Sequence, residues 1–423
     1  MPYTINYRKL NKFAILIFIC ILVLHGTYFR IRSTTMVPTI DWLVIARLLA
    51  CAIGFIIGII LISKKLPLGF AAKVLLIYVL ATGISAINSP YPVIVFGYFI
   101  LLLGASSLMI GLVYSAKNTK QLEKIERIWF LTVSVLLIKD SLISLLFPKM
   151  QPEAEIFRIG MGVTHANQLS ILAGIVFWIS FKQEKASNSR IIWLFRSFLI
   201  FLIIDAISRV SITAFLVGGA FYFSFKGRNY LSRLVIVVCC IVVLSTFIML
   251  SHSFGFGWTN NIIDYLRRGQ DKNVLSTFTG RTDIWQLVIN ESLESPIFGH
   301  GYGVSRLTMG PLPYDSYQPA HCHNEVLEVF FTTGLLGLIP FLIMFVYSLN
   351  WLKRFSWLSR TFSKNFALHA ICVVIMLLVS SGFEARIGVR LLPTQPIFFL
   401  YLLALDLEKD FSRSVSTLDI NGE

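Results

Sequence analysis

Charge is what this chain has least of. Asp, Glu, Lys and Arg make up 14% of its 423 residues, against roughly 25% in a soluble globule, which excludes an ordinary water-soluble domain. The acidic sign is the scarcer, with 22 Asp and Glu against 37 Lys and Arg. Cysteine is sparse: there are six, and five (Cys20, Cys51, Cys239, Cys240, Cys372) lie in apolar runs. Only Cys322 sits at a loop edge, so no disulfide framework is expected. No C-x-x-C or H-E-x-x-H spacing supports the zinc site that His321-x-His323 invites. The one glycine-rich run, Gly299-His300-Gly301-Tyr302-Gly303, has no strand before it and reads as a flexible turn. Internal repeats and low-complexity linkers are missing, as is any cytoplasmic stretch long enough to be a domain. The polar tail Ser412–Glu423 is expected to be disordered.

What the chain has in abundance is apolar sequence, 56% hydrophobic with a mean hydropathy of +0.74. Apolar runs fall at 13–29, 41–62, 67–88, 92–115, 127–147, 165–181, 191–206, 209–225, 233–251, 323–349, 366–384 and 389–406. Most are long enough to cross a hydrocarbon core of about 30 Å as helices. They predict an all-α polytopic membrane bundle of about 12 transmembrane helices. It forms a single integral membrane domain (1–423) with one long loop, 251–322, holding short amphipathic helices. The first run has no small-residue cleavage site after it and reads as a span, not a signal peptide. The 191–225 region is either two short spans meeting at a tight turn or one long bent element.

Lys and Arg concentrate in alternate short loops, which places both termini in the cytoplasm and the 251–322 loop outside. In a double-membrane bacterium that is the periplasmic face of the inner membrane. The formal charge of +15 is then topological, and no nucleic-acid partner is implied. The cytoplasmic basic residues are mostly Lys. The external ones are ten Arg and two Lys (Lys149 and Lys272). Arg binds phosphate through a fixed fork and Lys does not, so the external arginines, Arg158 among them, are candidate phosphate ligands. The alternative is that they pair with Glu153, Glu155, Asp264 or Glu384.

Three residues stand out. Arg209 lies between two apolar runs, where an Arg needs a polar cavity or a partner; Asp205 at i−4 is the simple partner. Arg281 follows Gly280 and opens an amphipathic run, and an Arg at a helix N-terminus makes a natural anion site. Its simple reading is a solvated cap residue paired with Asp283. His323 begins a long apolar helix, and His is the usual general base near neutral pH, although a lone His at headgroup level commonly does no chemistry. Asn324 suits an N-cap. Glu325 and Glu328 suit the first helical turn and are candidates to orient the imidazole. His165-Ala166-Asn167 repeats the His-x-Asn theme at another external helix start. Glu384, Arg386 and Arg390 border a further external turn. The substrate-binding candidates are therefore Asn324, Glu325, Glu328, His165, Asn167, Arg158, Arg386 and Arg390.

Ser208-Arg209, Thr279-Gly280-Arg281-Thr282-Asp283-Ile284-Trp285, Pro296 to Gly303, His323-Asn324-Glu325-Val326-Leu327-Glu328 and Gly334-Leu335-Leu336-Gly337 occur in this order. Together they resemble the O-antigen ligase and polymerase superfamily, most strongly over residues 277–340. The resemblance implies a metal-independent, inverting glycosyltransferase without cofactors. Its donor would be a polyprenyl-pyrophosphate-linked saccharide and its acceptor a glycan or lipid. It assigns Arg209 and Arg281 to the donor pyrophosphate and His323 to deprotonation of the acceptor hydroxyl, making these three the expected catalytic residues. Membrane lipids, a chain-length regulator and a flippase are the other partners it suggests. The motif wording looks closest to exopolysaccharide and O-antigen polymerases, with a ligase delivering to lipid A–core or protein as the alternative. A chemistry outside the cytoplasm has no ATP and must draw on the substrate's own bond energy, which suits this donor.

Two other classes compete. A transporter of lipid-linked saccharides would favour internal repeats, broken helices and mid-membrane charges, whereas most candidates here crowd the external edge. A purely structural assembly partner leaves the Arg and His cluster without a purpose.

Overall fold

The computed structural model describes residues 7–26, 42–63, 67–146, 166–181, 189–206, 208–227, 281–311, 319, 321–388, 391–408 and 410–412. Every regular element among them is helical, as the apolar runs require. We label α1 Tyr7–His25, α2 Trp42–Ile62, α3 Phe70–Ile84, α4 Pro92–Tyr114, α5 Thr119–Leu146, α6 Ala166–Ile179, α7 Ser189–Asp205 and α8 Arg209–Lys226. The later helices are α9 Arg281–Ser292, α10 Glu325–Ser348, α11 Lys364–Ser381 and α12 Thr394–Ala404. Six stretches of the described residues are long and apolar enough to cross a membrane: Trp42–Ile62, Phe70–Asn88, Pro92–Tyr114, Thr119–Leu146, Glu325–Lys353 and Lys364–Ser381. The apolar run 233–251 and residues 251–280 of the long loop lie outside the described residues. The 191–225 region consists of two helices, α7 and α8, separated by a short break, with Ser208 capping α8 by accepting from Ser211 N–H.

Small residues let the helices approach closely, as membrane helices without a hydrophobic drive between them require. At the α2–α4 contact a Cβ on Gly104 would lie 2.1 Å from the Cys51 carbonyl oxygen, so only glycine fits. Large apolar side chains point outward instead, including Ile56 and Ile59 on α2 and Val135 and Leu142 on α5. That is the reverse of a soluble fold and suits a lipid surround.

Helix α10 is broken near its start. Gly334 has φ 58° and ψ −160°, which interrupts the helical ladder and frees carbonyls one turn back. The chain ahead of α10 takes them up: His300 N–H donates to Phe331 O at 2.8 Å and Gly301 N–H to Thr332 O at 2.9 Å. Leu335 N–H in turn donates to Pro296 O at 2.8 Å. The glycine-rich run is therefore a packed seal against the broken helix and not the flexible turn its composition suggests. Gly301 holds φ 113°, and a Cβ there would meet the Ser89 hydroxyl at 2.4 Å. Non-helical backbone at membrane depth survives where protein covers it, and here the break is closed by protein backbone.

Within the bundle, one ionisable cluster is fully enclosed. His369 on α11 places Nδ1 3.1 Å from Glu126 on α5, and Tyr401 on α12 donates its hydroxyl to the same carboxylate at 2.7 Å. His369 and Glu126 are 0% and 1% exposed.

Candidate functional site

Helix N-termini supply most of the site. Asn167 stands in the first turn of α6, Arg209 is the first residue of α8, Arg281 the first of α9, and His323-Asn324 leads into α10. Four positive dipole ends thus come together, an arrangement that favours anions before any side chain is counted. The elements are tied to one another. Ser211 donates its hydroxyl to Asn167 O at 3.2 Å, and Asn324 donates through Nδ2 to Gly382 O at 3.1 Å.

The hub is Glu384, in the turn after α11. Its Oε1 accepts from Asn167 Nδ2 at 2.7 Å and from Arg281 Nη2 at 3.2 Å. His323 Nδ1 lies 3.5 Å from the same oxygen, an ionic approach longer than a normal hydrogen bond. His321 Nε2 lies 4.0 Å from Oε2. Burial alone would raise the Glu384 carboxyl, but His323, the Arg386 charge and His321 outweigh it and hold the group well below the usual carboxylate range. Glu384 is therefore a fixed anion at neutral pH.

Around it the charge is positive. Arg209 is half-buried and lies within electrostatic reach of Arg281. Arg281 sits 5.9 Å from the Phe383 ring. Burial lowers its affinity for the proton and Glu384 restores part of it. Arg386 is buried beside Glu384 and Glu325, within reach of Arg281. Two guanidiniums (Arg281 and Arg386) and two imidazoles thus face one carboxylate, with Arg209 within reach of Arg281, a surplus of cation that calls for an anionic ligand.

His323 is held under strain. It has φ 51°, the single non-glycine residue of positive φ among the described residues. That conformation is rare outside glycine and concentrates at functional sites. Its N–H donates to His321 Nδ1 at 3.2 Å, and its side chain is 22% exposed. With Nδ1 turned to Glu384, Nε2 is the nitrogen left to act.

The geometry reassigns several sequence expectations. Arg209 does not share a helix with Asp205, because α7 ends at Asp205 and α8 starts at Arg209. Arg281 pairs with Glu384 in place of Asp283. Asn324 is the N-cap expected of it, accepting from Leu327 N–H at 3.1 Å. Glu325 does not orient the imidazole. It is wholly buried and accepts from the backbone N–H groups of Arg386, Ile387 and Gly388 and from the Ser381 hydroxyl. With three backbone donors and a hydroxyl on one carboxyl, Glu325 pins the turn that carries Glu384. Glu328 also faces inward and accepts from Cys322 N–H at 2.8 Å. The residue that approaches the imidazole is Glu384, which sequence reasoning treated as a partner for an external Arg. Sixty residues separate it from His323, and only its place in a turn with Arg386 hinted at it. Gln168, next to Asn167, was missed altogether. Arg158, His165 and Arg390 lie outside the described residues.

His321, His323 and Glu384 present ligand atoms within 4.8 Å of one another, a donor set that can hold a metal ion. Its electrostatics oppose one. Glu384 Oε1 already serves Asn167 and Arg281, and a divalent cation would add to the charge of three arginines.

Two similarities to known proteins bear on this chain. A family model described as O-antigen ligase matches residues 194–342. The match contains Arg209, Arg281 and His323 and ends before Glu384. A protein of Rickettsia conorii that carries the name of a polysaccharide ligase is 34% identical over 103 residues, covering 22% of this chain and 24% of the relative. The match thus spans about a quarter of that relative's length.

Proposed function

From the match of residues 194–342 to a family model described as O-antigen ligase, we propose that this chain transfers a glycan from a polyprenyl-pyrophosphate carrier to a hydroxyl acceptor, with inversion and without metal. The observation that carries this is the convergence of Arg281 and His323 on Glu384, with Arg209 within electrostatic reach of Arg281, at four helix N-termini. Arg209 and Arg281 neutralise the departing pyrophosphate, which leaves with the electron pair of the broken anomeric C–O bond. His323 Nε2 takes the proton of the acceptor hydroxyl as its oxygen attacks the opposite face of the anomeric carbon, as inversion requires. Glu384 stabilises the imidazolium that forms, in the manner of the carboxylate of a catalytic triad. Asn167 holds Glu384 in place, and Glu325 fixes the turn beneath it. The inner membrane and its periplasmic face are the setting this chemistry implies.

The acceptor we assign is the next lipid-linked repeat unit, which makes the protein a surface-polysaccharide polymerase; the motif wording supports this. The ligase reading, with lipid A–core or protein as acceptor, is favoured by the name of the Rickettsia relative. Purified protein supplied with a pyrophosphate-linked saccharide, without metal or ATP, tests both. Repeat-unit ladders that vanish in His323→Ala are the expected result, and product on a lipid core instead would name a ligase. Saccharide crossing the bilayer with no covalent transfer to any acceptor would overturn the enzyme reading in favour of a transporter.

A further inference from the structure

Behind Glu384 lies a buried cation with most of its hydrogen-bonding capacity unused among the described residues. Arg386 is 2% exposed. Its Nη1 donates to Gln168 Oε1 at 2.7 Å, while its Nε and Nη2 have no hydrogen-bond partner among the described residues. Gln168 is 8% exposed, and its Nε2 also has none. Buried donors left unmade are costly and uncommon, most of all on a charged group.

The pattern of unused atoms is informative. Nε–H and the adjacent Nη2–H point off one edge of the guanidinium, forming the side-on fork that matches two oxygens of a phosphate or carboxylate. Among the described residues, the neighbouring carboxylates do not fill this fork. Glu384 is taken by Asn167 and Arg281, and Glu325 by the 386–388 backbone and Ser381. The cavity that Gln168 lines with His25, Asp140 and Leu172 has about 20 Å³ of room, enough for one water, and Arg386 is not among its lining residues.

We propose that Arg386 and Gln168 form a further oxyanion subsite, taking two oxygens of a phosphoryl or carboxylate group on the glycan substrate, beside the Arg209–Arg281 pair and not part of it. That the anion belongs to a glycan substrate rests on the function proposed above; the fork itself does not. The subsite approaches its ligand from the Glu384 side and adds a third point of recognition to the site.

The test is isothermal titration of the purified protein with inorganic pyrophosphate and, separately, with glucuronate. Wild type, Gln168→Glu, Arg386→Gln and the Arg209→Gln/Arg281→Gln double variant are compared. Gln168→Glu places a near-isosteric carboxylate against Nη1 of the same guanidinium and neutralises its charge, so it is expected to fold with an unchanged or higher melting temperature. It should lose anion affinity about tenfold or more, as for one bidentate charged contact. Loss for pyrophosphate identifies a phosphoryl ligand, and loss for glucuronate an acidic sugar. In the double variant a residual affinity should remain that Gln168→Glu removes. If Gln168→Glu and Arg386→Gln both fold and bind both anions as wild type does, the subsite is wrong. If instead the double variant binds as wild type while Gln168→Glu does not, the subsite stands and the assignment of Arg209 and Arg281 to the donor fails.

Discussion

Two His–carboxylate clusters lie among the described residues, and their difference teaches more than either alone. His369 and Glu126 lie 3.1 Å apart, essentially without exposure, with Tyr401 on the same carboxylate. His323 and Glu384 lie 3.5 Å apart, with the imidazole 22% exposed and the backbone at φ 51°. By distance the enclosed pair is the better one. By every other measure the site is the second: it has access, strain, helix N-termini and a surplus of arginine. A His–Glu contact is thus no mark of catalysis in itself. In the bundle it satisfies polar groups that lipid cannot. At the helix ends the same contact sets a base where an anion is drawn in.

The sharpest way to break this comparison is to remove each base. His323→Ala should cost about 10²–10⁴-fold in turnover, the usual contribution of a positioned general base, with folding preserved. His369→Ala should leave turnover per folded molecule unchanged and lower stability by about 1–3 kcal/mol, because it removes one partner of the buried Glu126; detergent melting curves measure this. A reversal of the two would mean the wrong pair has been called the site. Next in size, Arg281→Gln or Arg209→Gln should cost about 10²–10³-fold if each stabilises the leaving pyrophosphate, with the loss in kcat as well as KM. Glu384→Gln should cost about 10- to 100-fold, less than the base it serves.

Its pH behaviour sharpens the contrast further. The folded Glu384 carboxyl is held below its ordinary value of 4.5, so its stabilising contribution is complete above about pH 4.5 and is lost only as pH falls through the lower folded value. Wild type and Glu384→Gln should therefore differ by a constant melting-temperature gap from pH 8 to 5. A gap that closes within that window would show that Glu384 is protonated there. The smallest effect is expected from metal removal. A chelator should leave turnover unchanged, since the surrounding guanidiniums oppose a cation at His321, His323 and Glu384. Activity lost to the chelator and restored by zinc would overturn that.

Much of the fold was readable because lipid simplifies the problem. An apolar run of about 20 residues has few alternatives to a helix, so the all-α bundle follows from composition and run length. The N-cap role of Asn324 and the helix opening at Arg281 were legible for the same local reason, since caps depend on residues a turn apart. The glycine run at 299–303 was misread because its role depends on carbonyls released by Gly334, a helix away. Glu325 and Glu328 were taken for partners of His323 because they are its near neighbours in sequence. A helix, however, turns its first residues by 100° steps, and the burial of α10 sends both inward.

The sequence by itself determined that this protein lives in a membrane as helices, and that Arg209, Arg281 and His323 are worth watching, because those facts rest on local composition and spacing. Only the tertiary structure decided which carboxylate serves the histidine and which arginine keeps an unused fork. Glu384, Asn167, Gln168 and Arg386 stand on segments far apart in the chain. What unites them is the packing of α6, α8, α9 and α10 against the turn that follows α11, and long-range contact of that kind leaves no periodicity in a sequence to read.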